Sequence, residues 1–253
     1  MLDSTLSYDE YYSIAYAEHT IMNPLTLPTV REIGRRCGLK AGSRIVDIGS
    51  GKGYVCHEYA KEFEAHSVQI DKSPQWIAEA TRLFADAGLL DYTELIEDDV
   101  KNIDLKPAEF DLAICLGNTP IFGGFERTVT RLLNTLRPGG HLLIGEAIVP
   151  EEVPAAYNEY LDELEWRIHT GRELFTIVEE NEAEIVYFRR STDQEWDDYL
   201  SLQWHSLLNF LRDNPDHPHY EEILDWLKDE QEQHLRFGIH YLDWGVFLIR
   251  SAV

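Results

Sequence analysis

The stretch from Arg44 to Gly53 constrains the fold of this chain more than any other. It opens with an apolar run typical of a buried strand and continues into closely spaced glycines: Ile45, Val46 and Ile48, then Gly49, Gly51 and Gly53. A helix-forming segment starts directly afterwards, at Tyr54. A glycine-rich turn between a strand and a helix N-terminus lets a ligand approach main-chain amides closely. The order strand, glycines, helix therefore predicts a ligand site at the end of this strand.

The spacing of the glycines decides between two kinds of nucleotide site. A dinucleotide-binding turn requires a third glycine where this chain has Tyr54, so a nicotinamide oxidoreductase is disfavoured. The chain instead has an acid, Asp47, two residues before Gly49. At a strand end this carboxylate can accept hydrogen bonds from loop amides and hold an ammonium group nearby.

Five short apolar segments alternate with helical ones up to residue 150, which predicts a parallel sheet with helices on both faces. Small or acidic residues follow each segment: 49–53, Asp71, Asp98 with Asp99, 116–119, and Glu146. Ligands of such sheets bind at the carboxyl ends of the strands, so these residues are expected at one edge. Asp71, about 20 residues past the glycines, has the ribose-binding position of nucleotide-binding α/β folds.

The pattern changes after Pro150. Apolar residues recur at helical spacing from Trp196 to Leu211, and a second amphipathic helix follows from Tyr220. Strand-like runs at 184–188 and 244–249 flank these helices. We therefore predict a single domain, 1–253, divided into a helical arm (1–40), a core (41–150), its continuation (151–191), a helical cap inserted at 192–240, and a last strand (241–253).

Composition excludes several classes of partner. The net charge is -24, and residues 151–253 hold 24 acids against 8 Lys and Arg. Such a surface repels nucleic acids and anionic membranes, and solvated helix faces explain it better than a cationic substrate does. Three widely spaced cysteines do not predict disulfides, the start at Met1 has no secretory signal, and no apolar run is long enough to span a membrane, so we expect a cytoplasmic protein. His217 and His219 lack the spacing of a metal site.

With these motifs in place, residues 44–146 resemble the class I S-adenosylmethionine (SAM) methyltransferases. More narrowly, the stretches 17–24, 115–125 and 244–247 resemble the YjhP-type bacterial methyltransferases, a likeness that covers most of the chain. The resemblance implies a Rossmann-like α/β fold: a mostly parallel seven-stranded sheet with helices on both faces, an N-terminal helical arm and a helical insertion before the last strand.

The resemblance also implies a cofactor, SAM, whose product is S-adenosylhomocysteine (SAH). Asp71 would bind the ribose hydroxyls, Asp99 (or Asp98) the adenine amine, and Val100 the adenine ring. The full set of implied cofactor-binding residues is Asp47, Gly49, Ser50, Gly51, Gly53, Asp71, Lys72, Asp98, Asp99, Val100, Leu116, Gly117 and Asn118. No metal is expected.

The acceptor is less determined than the cofactor. The fourth strand ends in Gly117-Asn118-Thr119-Pro120, which lacks the Pro-Pro-aromatic box of amino methyltransferases acting on DNA or glutamine. We therefore predict in-line methyl transfer to a small molecule. Candidate bases are His19 and Glu146, and candidate acceptor contacts are His19, Asn118, Thr119, Trp204 and His205. For Trp204 we favour packing in the core over contact with the acceptor, and for His205 we favour exposure to solvent. A non-catalytic SAM-binding sensor or scaffold stays open as an alternative function. The oligomeric state is open as well.

Overall fold

The computed structural model describes residues 6–164 and 166–251. Its strands are β1 (Arg44–Ile48), β2 (His66–Asp71), β3 (Thr93–Glu97), β4 (Phe110–Leu116), β5 (Leu136–Val149), β6 (His169–Thr170), β7 (Ala183–Arg190) and β8 (Asp243–Ser251). Its helices are α1 (Tyr8–Ala15), α2 (Leu27–Arg36), α3 (Tyr54–Phe63), α4 (Pro74–Asp86), α5 (Phe125–Leu133), α6 (Ala155–Glu163), α7 (Gly171–Glu180), α8 (Asp193–Asp213), α9 (Tyr220–Gln233) and α10 (Ile239–Tyr241). A π-helical turn, His234–Gly238, joins the last two helices.

Within the described residues, seven strands form one sheet in the order β3-β2-β1-β4-β5-β8-β7, and the two-residue β6 pairs with β5 beside this path. The strands β1 to β5 pair in parallel, whereas β8 lies antiparallel between β5 and β7. The predicted Rossmann-like, mostly parallel sheet is confirmed, with β6 as an addition. Because β1, β2 and β4 run in one direction, their carboxyl ends meet at one edge.

Helices cover both faces of this sheet because alternate strand residues point to opposite sides. Ile45 belongs to the buried cluster that α2 and α3 complete, whereas its neighbour Val46 packs with residues of α5 and α7. Both faces being buried explains why these strands are apolar throughout rather than alternating.

The helix α1 and the insertion between β7 and β8 build a third buried cluster. Tyr11 and Ala15 of α1 pack there with Leu207 of α8 and Ile223 of α9. A capping box of Thr192 and Glu195 defines the N-terminus of α8, where the insertion begins. The predicted N-terminal helical arm and the helical insertion before the last strand are therefore confirmed.

Three predicted boundaries were wrong. The helix expected over 8–20 ends at Ala15, and Thr26 rather than Thr29 caps α2, since the Thr26 hydroxyl accepts a hydrogen bond from the Thr29 amide. The fifth strand, expected over 141–144, extends to Val149 because it pairs with β8 along most of its length. The expectation about a secretory signal concerns Met1 to Ser4, which lie outside the described residues. No helix within residues 6–164 and 166–251 is long and apolar enough to cross a membrane.

Candidate active site

A cavity of about 700 Å³ lies at the carboxyl edge of the sheet. Loops after β1, β2 and β4 form its floor, and the segment after α1 covers one side. Residues of α6, α8, α9 and the π-helical turn close the remaining side. The volume is within the range of small-molecule sites, roughly 300–1,000 Å³.

The loop after β1 depends on glycine, most strongly at Gly49. Gly49 has φ +66°, and a Cβ built on it would lie 2.3 Å from the Nδ2 atom of Asn118. The Asn118 amide can approach so closely that it donates a hydrogen bond to the Gly49 carbonyl, at 3.2 Å. This contact joins the ends of β1 and β4 and leaves main chain exposed to the cavity.

Asp71 fixes the same loop from the end of β2. One carboxylate oxygen accepts the Gly51 amide at 2.8 Å, and the other accepts the Ser73 amide at 2.9 Å. Burial raises the pKa of Asp71, and the two amides partly offset that effect. The Asp98 amide donates to the Asp71 carbonyl at 3.2 Å, so the segment after β3 lies directly beside this site.

Asp47 lines the cavity as a buried carboxylate without a cation among the described residues. Its one described side-chain partner is the Cys56 thiol, which donates to it over 3.4 Å. Burial raises the pKa of Asp47 to about 7. A buried carboxylate is costly unless it is paired, so a positive group or additional hydrogen-bond donors that reach Asp47 through the cavity would stabilise its charged form.

This raised pKa makes a prediction about stability. The folded state binds the Asp47 proton more tightly than the unfolded state does, so Asp47 lowers the free energy of unfolding as the pH rises from about 4 to about 7. Asp47→Asn should therefore stabilise the ligand-free protein by about 2 kcal/mol at pH 8 and by much less at pH 4, measured by urea unfolding. An equal effect of Asp47→Asn at both pH values would contradict the raised pKa of Asp47.

The segment between α1 and α2 lies over the glycine loop. A Cβ on Gly51 would meet the Met22 sulfur at 2.8 Å, and a Cβ on Gly117 would meet the Asn23 side chain at 3.0 Å. The buried Lys52 ammonium donates to the Ala17 carbonyl at 2.9 Å and thereby ties the loop to the arm. The arm therefore covers the loop along its length.

The half of the cavity away from the glycine loop is aromatic. Five of the six tryptophans of the chain line the cavity, together with tyrosines of α1, α6 and α8. Trp196 stacks on Trp244, with ring centroids 6.3 Å apart, and so joins α8 to the sheet. One carboxylate, Glu230, also lines the cavity, and it accepts a hydrogen bond from the Tyr11 hydroxyl at 3.0 Å.

The structure brings most of the predicted site residues to this one cavity. Those lining it are Asp47, Gly49, Ser50, Gly51, Gly53, Asp71, Lys72, Leu116, Gly117, Asn118 and Trp204. Seven others are not among its lining residues: His19, Asp98, Asp99, Val100, Thr119, Glu146 and His205. Of these, Asp99 caps the turn Val100–Asn102, where Val100 is buried in the core cluster that includes Ile70.

The two predicted bases are both displaced from the cavity, for separate reasons. Because β5 continues to Val149, Glu146 lies within the strand rather than at its end, one position from the cavity-lining Ala147 and on the opposite face. The His19 ring is buried behind the tyrosines, edge-on to Tyr16, with Nε2 2.9 Å from the Tyr199 carbonyl oxygen.

His205 and Thr119, predicted to contact the acceptor, point elsewhere as well. His205 is on the exposed side of α8, where it pairs with Glu18 at 3.2 Å. Thr119 is buried at the first position of a turn and receives the Thr128 hydroxyl on its carbonyl. Of the two insertion residues predicted to contact the acceptor, Trp204 lines the cavity and His205 does not.

Residues of α9 and the following turn also line the cavity, and the sequence pattern did not predict them. Glu230 and His234 are one helical turn apart and both face it. The His234 ring is buried, with Nε2 3.5 Å from an Asp197 oxygen and Nδ1 without a hydrogen-bond partner among the described residues. A spacing of four residues was the available signal, but the many other acids of this helix conceal it.

Comparison with known proteins identifies the core. Residues 45–140 match a family described as a methyltransferase domain. Over 94% of this chain and 96% of the other, the sequence is 28% identical to the uncharacterized protein YjhP of Escherichia coli (strain K12). A crystal structure of a SAM-dependent methyltransferase from Geobacter sulfurreducens in complex with SAH is 27% identical, covers 99% of this chain and 100% of its own, and superimposes with a TM-score of 0.87.

The chain is a SAM-dependent methyltransferase. The resemblance to the class I enzymes and to the YjhP type is thereby confirmed, and SAM is the cofactor. The crystal structure of YjhP from E. coli also superimposes with a TM-score of 0.87 over 95% of this chain and 99% of its own. The cavity itself fits a cofactor with an ammonium group. Among residues 6–164 and 166–251, the Asp47 carboxylate has no cationic partner and the buried Ser50 hydroxyl has no hydrogen-bond partner.

Proposed function

We propose that this methyltransferase acts on a small molecule enclosed in the cavity, with the glycine-loop half holding SAM and the aromatic half holding the acceptor. The observation that carries this proposal is the shared cavity: Trp196, Tyr199 and Trp204 of the insertion line the same space as Gly49 and Asn118. A cavity covered by both the arm and the insertion admits a small acceptor far more readily than a nucleic acid or a folded protein.

The proposed cofactor residues act by positioning. Asp71, held by the Gly51 and Ser73 amides, has lone pairs left for a vicinal diol, and Asp47 would receive an ammonium group. Asp98, Asp99 and Val100 are kept as proposals for the adenine end, because Asp98 is bonded to the main chain of Asp71. When bound, SAM supplies a methyl group on a positively charged sulfur, which is transferred by in-line displacement.

The remaining work of this chain is alignment and the exclusion of water. The loop main chain, Asn118 and the Asp71 carboxylate would fix one partner, while Trp196 and Trp244 separate the reacting space from solvent. Holding two reactants in line accounts for a large part of the rate of such a transfer. We further propose a cytoplasmic location, supported by the free thiols of Cys37, Cys56 and Cys115.

The ribose assignment predicts the effect of one substitution. Asp71→Ala should weaken SAM binding by about 1–3 kcal/mol, because it removes an ionised acceptor of hydrogen bonds. Calorimetric titration of SAM measures this, and Glu97→Ala is the matched control: Glu97 is an exposed acid at the end of the next strand and does not line the cavity. Equal SAM affinity in a folded Asp71→Ala protein would refute the assignment.

The acceptor proposal is tested by offering the enzyme two fractions of one cell extract. SAM labelled in its methyl group is incubated with the protein and either the small molecules that pass an ultrafilter or the retained DNA, RNA and protein. We expect label to enter a compound of the first fraction. Efficient labelling of macromolecules with none in the small-molecule fraction would contradict the proposal.

A further inference from the structure

Glu230 is set among tyrosines in the aromatic half of the cavity. The tyrosines within electrostatic range of its carboxylate are Tyr11 and Tyr12 of α1, Tyr16 directly after α1, Tyr160 of α6 and Tyr199 of α8. Four of these line the cavity and are called the tyrosine ring below: Tyr12, Tyr16, Tyr160 and Tyr199. Aromatic faces attract cations, and a ring of them around a carboxylate is a binding site for a positively charged group.

The charges of the cavity point the same way. Its acids are Asp9, Asp47, Asp71 and Glu230. Lys52 and Lys72 are the only lysine or arginine side chains among the described residues that line it. Both belong to the glycine-loop half and are engaged, Lys52 with the Ala17 carbonyl and Lys72 with Asp9 at 2.9 Å. A phosphate or carboxylate would therefore find no lysine or arginine partner beside Glu230 among the described residues.

We infer that the methyl acceptor is a small amine that binds as an ammonium ion against Glu230 inside the tyrosine ring, and that Glu230 then takes a proton from it. This inference rests on the proposed function, since it names the acceptor class of the same cavity. It also gives the tyrosine ring and the missed acid of α9 a common role.

The chemistry requires this proton transfer. An ammonium nitrogen has no free electron pair, so one N–H bond must break first, with its electrons staying on nitrogen and the proton moving to a Glu230 oxygen. The freed pair then forms the new C–N bond, while the S–CH₃ bond breaks and leaves its pair on sulfur. The methylated amine is again an ammonium ion, and Glu230 releases the extra proton to solvent.

The surroundings of Glu230 suit both tasks. Burial raises its pKa to about 7, with a smaller contribution from Asp229 and an opposing one from the Tyr11 hydrogen bond. A base that titrates near neutral pH takes and returns protons readily. Because a buried pocket disfavours charged groups, proton transfer within the ammonium–carboxylate pair costs less there than it would in water.

Binding of a permanent cation tests the recognition step without turnover. Tetramethylammonium chloride is titrated calorimetrically into the SAH-saturated protein, with the neutral 2,2-dimethylpropan-1-ol and with acetate as probes of similar reach. We expect the cation to bind and the other two not to. Glu230→Gln, which keeps an acceptor for the Tyr11 hydroxyl, should weaken cation binding about tenfold at pH 8. Glu232→Gln, an exposed acid of the same helix, should have no effect.

The pH dependence separates Glu230 from the other groups around the site. Tetramethylammonium cannot titrate, so its affinity should rise with pH through about 7 in the wild type and stay flat in Glu230→Gln. The tyrosines stay neutral there because burial raises their pKa values, and Asp47 and His234 are unchanged in the variant. A rise that persists in Glu230→Gln would assign the effect to another titratable group of the cavity, Asp47, Asp71 or His234, and would overturn the role of Glu230.

Two further measurements distinguish a failure of the amine site from a failure of the proposed function. Tyr12→Leu should weaken cation binding about threefold while leaving the carboxylate in place. Equal tetramethylammonium affinity in wild type and Glu230→Gln would overturn the inference. A Glu230→Gln protein that loses affinity for SAM but keeps its affinity for the cation would overturn it as well. If SAH itself does not bind, the proposed function fails. The titration of the free protein then decides the amine site alone, for or against, by its dependence on Glu230.

Discussion

Replacing Trp244 by alanine is expected to lower the free energy of unfolding by about 3–5 kcal/mol, the usual cost of removing a large buried aromatic ring. Trp244 is 7% exposed and stacks on Trp196 of α8. The sheet is shaped to receive it, since a Cβ on Gly145 would lie 2.6 Å from the Trp244 ring. A smaller side chain at position 244 would not reach Trp196, and the contact between the sheet and the insertion would be lost.

The same substitution tests how the cavity is closed. Because Trp244 and Trp196 both line the cavity, the gap left by alanine would also admit water, and methyl transfer should fall along with stability. Urea unfolding of Trp244→Ala beside Trp166→Ala gives the comparison, since Trp166 lines the same cavity but is 44% exposed and should cost far less. Similar losses from the two variants would contradict this account of the packing.

Gly49→Ala should reduce SAM affinity on the order of 100-fold, equivalent to about 3 kcal/mol. Two effects combine at this position. An alanine at φ +66° is strained by about 1–2 kcal/mol, and its Cβ would lie 2.3 Å from the Asn118 amide nitrogen. Asn118 must then move away from the Gly49 carbonyl, which separates the ends of β1 and β4 where the cofactor is proposed to bind.

The chain offers a matched control for the strain alone. Gly42 has φ +80°, but a Cβ there would have no neighbour within 4 Å. Gly42→Ala should therefore destabilise the protein by about 1–2 kcal/mol and leave SAM affinity unchanged. Calorimetric titration of both variants measures the difference. A Gly49→Ala protein that binds SAM as tightly as Gly42→Ala does would show that the close approach to Asn118 is irrelevant to the site.

The glycine-loop half of the cavity could be predicted because its positions follow from local patterns. A buried strand, closely spaced glycines and an acid at the end of the next strand fix Gly49, Gly51 and Asp71 at one sheet edge whatever the rest of the chain does. The fold class followed from the same alternation of strands and helices. The boundaries were less accurate, since the length of β5 depends on its pairing with β8, and this long-range contact decided the position of Glu146.

The aromatic half could not be predicted, because it depends on how whole helices are rotated. The helix α9 carries many acids, and Glu230 differs from them only in packing beside Tyr11 of a helix more than 200 residues away in sequence. His205 and His234 show the same problem. Both are histidines of the helical insertion, but His205 faces solvent beside Glu18 and His234 faces the cavity.

Turnover in the presence of small-molecule extract tests the central claim most directly. The amount of SAH formed per mole of protein is measured over time with SAM in excess, using wild type, Asp71→Ala and a sample without extract. We expect many equivalents of SAH with the extract, a strong decrease in Asp71→Ala at SAM concentrations below saturation, and little SAH without the extract. SAM binding with no more than one equivalent of SAH under any extract condition would contradict it and would favour a SAM-binding sensor or scaffold.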